Sequence, residues 1–419
     1  MYITAVDLGS SYIKAIVADV KRGGGLVVVK TVTKESRGIK RGEIIHPEDA
    51  VKSLFNVLSE LKRFDRRTIK HIVFGVSTTR SKMIISRAAV SIPRHDHEIL
   101  PEDVDRVIRE SMAINLPSGW HVAHSFPREF IIDDIEVDTP NVVGLSGKKL
   151  GANVVLIALF SSVHKNFERI AQLVLGKKGD FDGSLFFAPL ACERALLSPT
   201  QKELGVVLID IGAGTTSIVA YQEGRLITTA VLAVGSSHIT NDLAVGLKCS
   251  VDTAEAIKVH YGVASARGVS VKEVVDVAQF EEGQSSAVSK KFIAEIIEAR
   301  VREIFSLVAD HLEGVGAQKL PAGAIITGGG SALGGILDVA RDELRLSAHI
   351  GVPRLDEFDV SYPQLEEDVV DARMSVACGL LLHKFDLLKG DTFGLSRSSS
   401  YNLNESWFKR FLRTLLALD

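Results

Sequence analysis

Three glycine-rich turns hold the residues of this 419-residue chain best suited to chemistry. The first reads Asp7-Leu8-Gly9-Ser10-Ser11 after an apolar run, and Lys14 follows seven residues beyond Asp7. The second, Asp210-Ile211-Gly212-Ala213-Gly214-Thr215, again follows an apolar run, and the third is Thr327-Gly328-Gly329-Gly330-Ser331. Phosphate groups need backbone N–H donors, which glycine turns supply. They also need a divalent cation held by carboxylates or their bound waters, and they gain from a lysine acting as a point charge. Asp7 and Asp210 provide the carboxylates, Ser10, Ser11 and Thr215 the hydroxyls, and Lys14 the cation. An Asp-x-Gly turn alone is common; two of them with a later Gly-Gly-Gly turn are more specific. No GxxxxGK[ST] occurs, which excludes a Walker-type nucleotide site, and no complete GxGxxG follows the opening strand, which weakens a dinucleotide-binding reading.

The elements around these turns repeat. Residues 3–20 and 206–221 each read as a strand, an Asp-x-Gly tip and a second strand, which makes two hairpins about half a chain apart and points to two related lobes. Residues 324–330 read as a strand ending in the glycine turn, followed by a helical stretch over 333–344, with the glycines admitting close approach of the backbone. Helical periodicity marks residues 47–64, with Val51, Leu54, Phe55, Leu58 and Leu61 on one face, residues 102–114, and residues 289–312, where Phe292, Ile293, Ile296, Ile297, Val301, Ile304, Phe305 and Val308 form a stripe. These stripes read as core faces.

Length predicts two or three folding units. Apolar residues make up 46% and charged residues 24%, and the formal net charge is −3, so nothing global favours nucleic acid as a partner. Cys192, Cys249 and Cys378 form no CxxC pair and read as buried thiols of a reducing compartment. No signal peptide is apparent, and no apolar run approaches the roughly 20 residues of a membrane-crossing helix.

The Asp7 and Asp210 turns, Lys14 and the 324–330 turn resemble the two phosphate motifs and the adenosine motif of the actin-like ATPase superfamily. That resemblance implies a two-lobed α/β fold of the duplicated ribonuclease H-like kind, with ATP and Mg²⁺ between the lobes. It implies phosphate and Mg²⁺ contacts from Asp7, Gly9, Ser10, Ser11, Lys14, Asp210, Gly212, Gly214 and Thr215. Adenosine would lie against Gly328, Gly329, Gly330 and the pair Glu255 and Lys258, whose spacing places both on one helix face. The two connecting helices match residues 187–197 and 375–383. Within the superfamily the chain is most similar to the FtsA family over essentially its whole length. The carrying segments are Val143-Gly144-Leu145-Ser146-Gly147, Pro127-Arg128-Glu129-Phe130-Ile131-Ile132-Asp133 and Arg37-Gly38-Ile39-Lys40-Arg41-Gly42-Glu43-Ile44.

The family resemblance divides the chain into a first lobe over 1–81, an inserted subdomain over 82–176 that helps subunits interact, and a return to the first lobe over 177–203. The second lobe spans 204–245, its small subdomain 246–323 and its adenosine turn 324–369. A closing helix covers 370–385 and a flexible linker 386–405. It also implies a cell division role: self-assembly, attachment to the cytoplasmic face of the inner membrane at the septum, binding of the FtsZ C-terminal tail by the small subdomain, and contact with later division proteins. Nucleic acid is no part of this. One departure is Ala188, where chaperone relatives carry a Glu that helps position the attacking water; slow hydrolysis at most is therefore expected, with no catalytic residue assigned.

The last segment, 406–419, is short and sharply patterned. On a helical wheel Trp407, Phe408, Phe411, Leu412, Leu415 and Leu416 fill one half, with Lys409, Arg410 and Arg413 opposite. An amphipathic helix lying among lipid headgroups has this pattern, and the basic residues favour anionic lipid. The competing reading is a helix that packs on its own domain or in a partner's groove. Two other functions fit the superfamily less well: a pilus-assembly scaffold, and a small-molecule kinase, which needs a catalytic Asp and a sugar-binding loop not found here.

Overall fold

The computed structural model describes residues 1–22, 24–137, 141–176, 184–280 and 287–389. The expected membrane helix and all of the expected linker beyond residue 389 lie outside the described residues. The chain divides into two compact units, one of Met1–Thr79 with Asn166–Lys384, the other of Arg80–Lys165 joined by residues 385–389.

The larger unit is built on two sheets of matching topology. Val-, Ile- and Ala-rich runs with both faces buried favour strands covered on each side. The first sheet has the order Ser184–Phe187, Ile72–Val76, Tyr2–Leu8, Tyr12–Val20, Leu26–Glu35 and Asp359–Val360. The second runs Ala348–Ile350, Ala324–Thr327, Val206–Ile211, Thr216–Gln222 and Arg225–Leu232. In each, an Asp-bearing strand pairs antiparallel with the strand after its tip and parallel with the strand on its other side. The two expected hairpins and the two-lobed α/β architecture are thus present.

Helices cover the sheets where the apolar spacing requires. Pro47–Phe64 starts with proline at its first turn and buries Leu54, Val57, Leu58 and Leu61, the i, i+3, i+4, i+7 set. Phe55, expected on that face, is 54% exposed, because it lies one residue off the stripe and Val57 fills the place. Likewise Lys290–Gly314 buries Ile293, Ile297, Val301, Ile304, Phe305 and Val308, while Phe292 stays 44% exposed. The helix after the third glycine turn starts later than its periodicity predicts. A 3₁₀ turn over Gly329–Ala332 intervenes, and the helix runs Ile336–Leu344 from Gly335, whose φ of +78° no helix admits. The two connecting helices are Ala188–Leu196 and Ser375–Lys389. The second outlasts the expected linker boundary at Asp386, since neither glycine nor proline stands between Asp386 and Lys389. They pack backbone to backbone: a Cβ on Gly379 would stand 1.8 Å from the Ala191 carbonyl oxygen.

The smaller unit is an antiparallel sheet in the order Ser81–Ser91, Lys149–Phe160, Trp120–Ile132 and Ile135–Val137, packed on the helix Pro101–Met112. Strand alternation sends Val90, Phe130, Leu150, Ala152, Val154 and Leu156 into one core with Val107 of the helix. Buried Asp103 accepts from the Leu100 N–H at 3.0 Å and from Arg94 and Arg106, closing the start of that helix.

Cys192 and Cys378 are buried and Cys249 is half-buried, all as free thiols. Burial, with Asp210 and Asp7 beside it, pushes the Cys192 thiol well up, and burial takes Cys378 to about 12. Neither is poised to react. Among the described residues no helix is long and apolar enough to cross a membrane, and none of the His, Cys, Asp and Glu clusters has a metal-holding arrangement on protein ligands alone.

Candidate functional site

Both hairpin tips are shaped by their glycines. At the first, a Cβ on Gly9 would lie 2.5 Å from the Tyr12 carbonyl oxygen. At the second, the Gly212 N–H donates to the Thr215 carbonyl at 2.9 Å, and Thr216 Oγ1 ties the returning strand to the Val234 carbonyl at 2.8 Å. The tips meet. A Cβ on Gly214 would stand 3.1 Å from both Ser10 Oγ and the Arg41 backbone nitrogen, a tight approach that glycine makes without crowding.

The third turn closes on the second tip. Gly328 has φ +83°, and a Cβ there would fall 2.2 Å from Asp210 Oδ1. A Cβ on Gly330 would meet Ile211 at 2.4 Å. Thr327, paired with Asp210 across the parallel strands, anchors the turn: its hydroxyl donates to Gly351 O at 3.0 Å or to Ala372 O at 3.1 Å and shares a 2.8 Å bond with Ser375 Oγ.

Charge is unevenly distributed at the bottom of this cluster. Lys14, opposite Asp7 in the hairpin register, reaches Asp7 Oδ2 at 2.8 Å and donates to the Arg373 carbonyl at 2.6 Å. Burial draws the Lys14 ammonium down, but Asp7 first and then Asp210 outweigh it, and its pKa ends above the ordinary lysine value. Asp210 is different. Burial pushes its carboxyl up to about 6, Lys14 pulling it down and Asp7 pushing it up. Two carboxylates facing one lysine leave an excess of negative charge, the environment that a divalent cation neutralises. The donor set therefore fits Mg²⁺ carrying a polyphosphate, and Gly9, Gly214 and Gly328 let the turns themselves draw close together around it.

Glu255 and Lys258 lie on the helix Val251–Tyr261 and pair at 2.6 Å. Lys258 is buried, and its ammonium also donates to Thr240 Oγ1 at 2.8 Å and to Ser236 O at 3.4 Å. The Ser236 N–H in turn donates to Gly212 O at 2.9 Å, so the pair stands one peptide from the second tip. The structure thus brings Asp7, Lys14, Ser10, Asp210, Gly214 and Gly328 to one place, with Glu255 and Lys258 beside it. Trp407, Phe408, Lys409, Arg410, Phe411, Leu412, Arg413, Leu415 and Leu416 lie outside the described residues.

Sequence reasoning missed Gly235, where a Cβ would be 2.6 Å from the carbonyls of Gly212 and Ala213, and the carbonyl of Arg373. Gly235-Ser236-Ser237 before an apolar run was a readable helix-start signal; a backbone carbonyl arriving from 359 residues away was not.

Ala188, at the start of its helix, is fully buried and offers no group to orient water.

Comparison with known proteins gives the family. Two family models match: "Cell division protein FtsA" over residues 207–379, and the "SHS2 domain inserted in FTSA" over residues 79–158. Among solved structures, that of the PilM-PilN type IV pilus biogenesis complex aligns with 91% of this chain and 98% of its own at a TM-score of 0.65 and 16% identity. MreB5 of Spiroplasma citri bound to AMPPNP aligns with 93% and 98% at 0.53 and 12% identity. Likeness at these identities shows the actin-like fold alone. The curated relatives are closer. The cell division protein FtsA of Neisseria meningitidis serogroup B is 31% identical over 91% of this chain and 89% of its own. That of Pseudomonas aeruginosa is 31% identical over 96% and 94%. With an actin-like body, an inserted SHS2 unit and relatives matched almost end to end, this chain belongs to the FtsA family of cell division proteins.

Proposed function

We propose that this protein binds ATP with Mg²⁺ where its three glycine turns converge, assembles with copies of itself, and tethers FtsZ polymers to the cytoplasmic face of the inner membrane at the division septum. The observation that carries the nucleotide reading is the meeting of the two aspartate tips, with Lys14 fixed to Asp7 and Gly328 closed on Asp210. The solved MreB5 relative of the same fold was bound to AMPPNP. Bound Mg²⁺ would neutralise phosphate charge. Asp7 and Asp210 would hold it directly or through waters, the N–H groups of Gly9, Ser10, Ser11, Gly214 and Thr215 would receive the phosphates, with Gly212 shaping the tip that presents them, and Gly328, Gly329, Gly330, Glu255 and Lys258 would border the adenosine. Nucleotide acts here as a conformational ligand: with Ala188 in place of a water-orienting residue, turnover stays far below one per second.

Residues 406–419 provide weak, reversible membrane attachment, each large apolar side chain adding at most roughly 1.5–3 kcal/mol, and self-assembly multiplies it by avidity. The small subdomain, residues 246–323, takes the FtsZ C-terminal tail; later division proteins bind elsewhere. Calorimetric titration with Mg²⁺-ATP tests the first part, and Asp210→Ala is expected to abolish binding. Deleting Ser406 to Asp419 is expected to end co-sedimentation with vesicles containing anionic lipid while ATP still binds; unchanged sedimentation refutes the anchor. A synthetic FtsZ tail peptide that fails to bind the full chain refutes the tether.

A further inference from the structure

Arg41 sits where no sequence rule would put an arginine. The strands Ile39–Lys40 and Glu43–Ile44 pair as a hairpin closed by two residues, Arg41 and Gly42. Both have positive φ, +52° and +70°, which two-residue turns of this hand require and which glycine, asparagine and aspartate adopt most readily. Glu223 and Gly224 close a second hairpin in the same conformation, so what sets Arg41 apart is not its torsion but what its turn is held against. The turn is held hard in place. A Cβ on Gly42 would fall 1.6 Å from the Ser77 carbonyl oxygen, and one on Gly38 2.2 Å from that of His46.

What the turn is held against is the junction of the two tips. The Arg41 backbone nitrogen and Ser10 Oγ both lie 3.1 Å from the position a Gly214 Cβ would take. Arg41 is exposed and, among the described residues, forms no ion pair. Its guanidinium instead donates from Nη2 to Nε2 of His238 at 3.3 Å, on the helix Ser236–Leu247 of the second lobe. That bond needs the tautomer with its proton on Nδ1, which donates to Gly235 O at 3.2 Å; in the other tautomer Nδ1 accepts from the Gly235 N–H at 3.1 Å and the Arg41 bond is lost, so the ring holds the guanidinium weakly. A guanidinium resting on a neutral ring, at the rim of a phosphate cradle, trades a weak partner for a strong one when an anion arrives.

We propose that Arg41 is the residue by which this site tells a triphosphate from a diphosphate. The terminal phosphate of a nucleotide held by both tips lies at their junction, and the Arg41 fork leaves His238 to bind its oxygens. This rests on the nucleotide reading given above. A diphosphate ends short of the junction, so the guanidinium stays on His238.

Calorimetry of the full chain with Mg²⁺-ATP and Mg²⁺-ADP tests the assignment. Arg41→Asn suits the turn, so its thermal midpoint should be no lower than that of the parent and misfolding is not a rival explanation. Its ATP affinity should fall about tenfold or more, the worth of a charge-assisted contact, and its ADP affinity less than about twofold. Arg41→Lys should fall between, having the charge without the fork. Equal losses for both nucleotides, or none for ATP, overturn the proposal. If the parent protein binds neither nucleotide, the site reading itself fails and Arg41's role with it.

Discussion

The two Asp-bearing hairpins have the same topology and unlike chemistry. In the first, Asp7 stands across the strand pair from Lys14; in the second, the same register places Ser217 opposite Asp210. The first tip therefore carries its own cation, 2.8 Å from the carboxylate. The second has none, and burial lifts Asp210 to about 6. The parallel neighbours differ as well. Beside Asp7 runs Gly75, followed by Val76 and Ser77, whereas beside Asp210 runs Thr327, followed by three glycines that let a turn close on the carboxylate. Two tips of one topology thus differ in charge balance. One tip is neutralised internally, and the other is left electrostatically incomplete, which under the proposed function a cation and phosphate would complete.

Removing the incomplete side should have the largest effect. Asp210→Ala is expected to lower Mg²⁺-ATP affinity about a hundredfold or more, beyond what the loss of a mere supporting ligand costs, as read by titration calorimetry. Breaking the complete side should act on folding instead. Lys14→Ala leaves Asp7 and Asp210 facing each other without a counter-charge and should destabilise the fold by about 3 kcal/mol at pH 7, measured by chemical denaturation. A stability loss below about 1 kcal/mol would mean that the pair is solvated and that the contrast between the tips is false. Gly328→Ala, with a methyl forced to 2.2 Å from Asp210 Oδ1 at positive φ, should cost about 2 kcal/mol. The same change at Gly144, also at positive φ but with open space around it, should cost about 1 kcal/mol.

The smallest and most discriminating change is Asp210→Asn. A carboxyl raised in the folded state penalises folding once it is ionised, so the wild-type penalty is full above about pH 6 and fades as pH falls toward the ordinary carboxylate value near 4. Asp210→Asn should therefore raise the thermal midpoint at pH 7 by a few degrees, and the gain should shrink between pH 6 and pH 4. A gain independent of pH would show that Asp210 is not the group that burial perturbs.

Much of this arrangement was legible beforehand, for reasons that particular residues make plain. Asp7 and Asp210 were found because Asp-x-Gly after a buried run has only one common geometry, a hairpin tip, and because it occurs twice. Gly328 was found because three glycines after a strand signal that the backbone there comes close to something else. Phe55 was misplaced because a helical wheel does not say how wide the covered stripe is. Arg41 went unread as a site residue because its neighbours on the page are hairpin residues, and its neighbours in space, Ser10 and Gly214, lie 31 residues before it and 173 after it.

By itself the sequence determined the strand-tip-strand units, the helices that cover them and the amphipathic character of residues 406–419, since all of these follow from periodicity and from the torsional freedom of glycine. Only the tertiary structure decided which aspartate is neutralised, which glycine is indispensable and which arginine overlooks the junction. Charge balance and close approach depend on what lies a few ångströms away in space, and residues as far apart as Lys14 and Arg373 meet only when both lobes have folded around the same point.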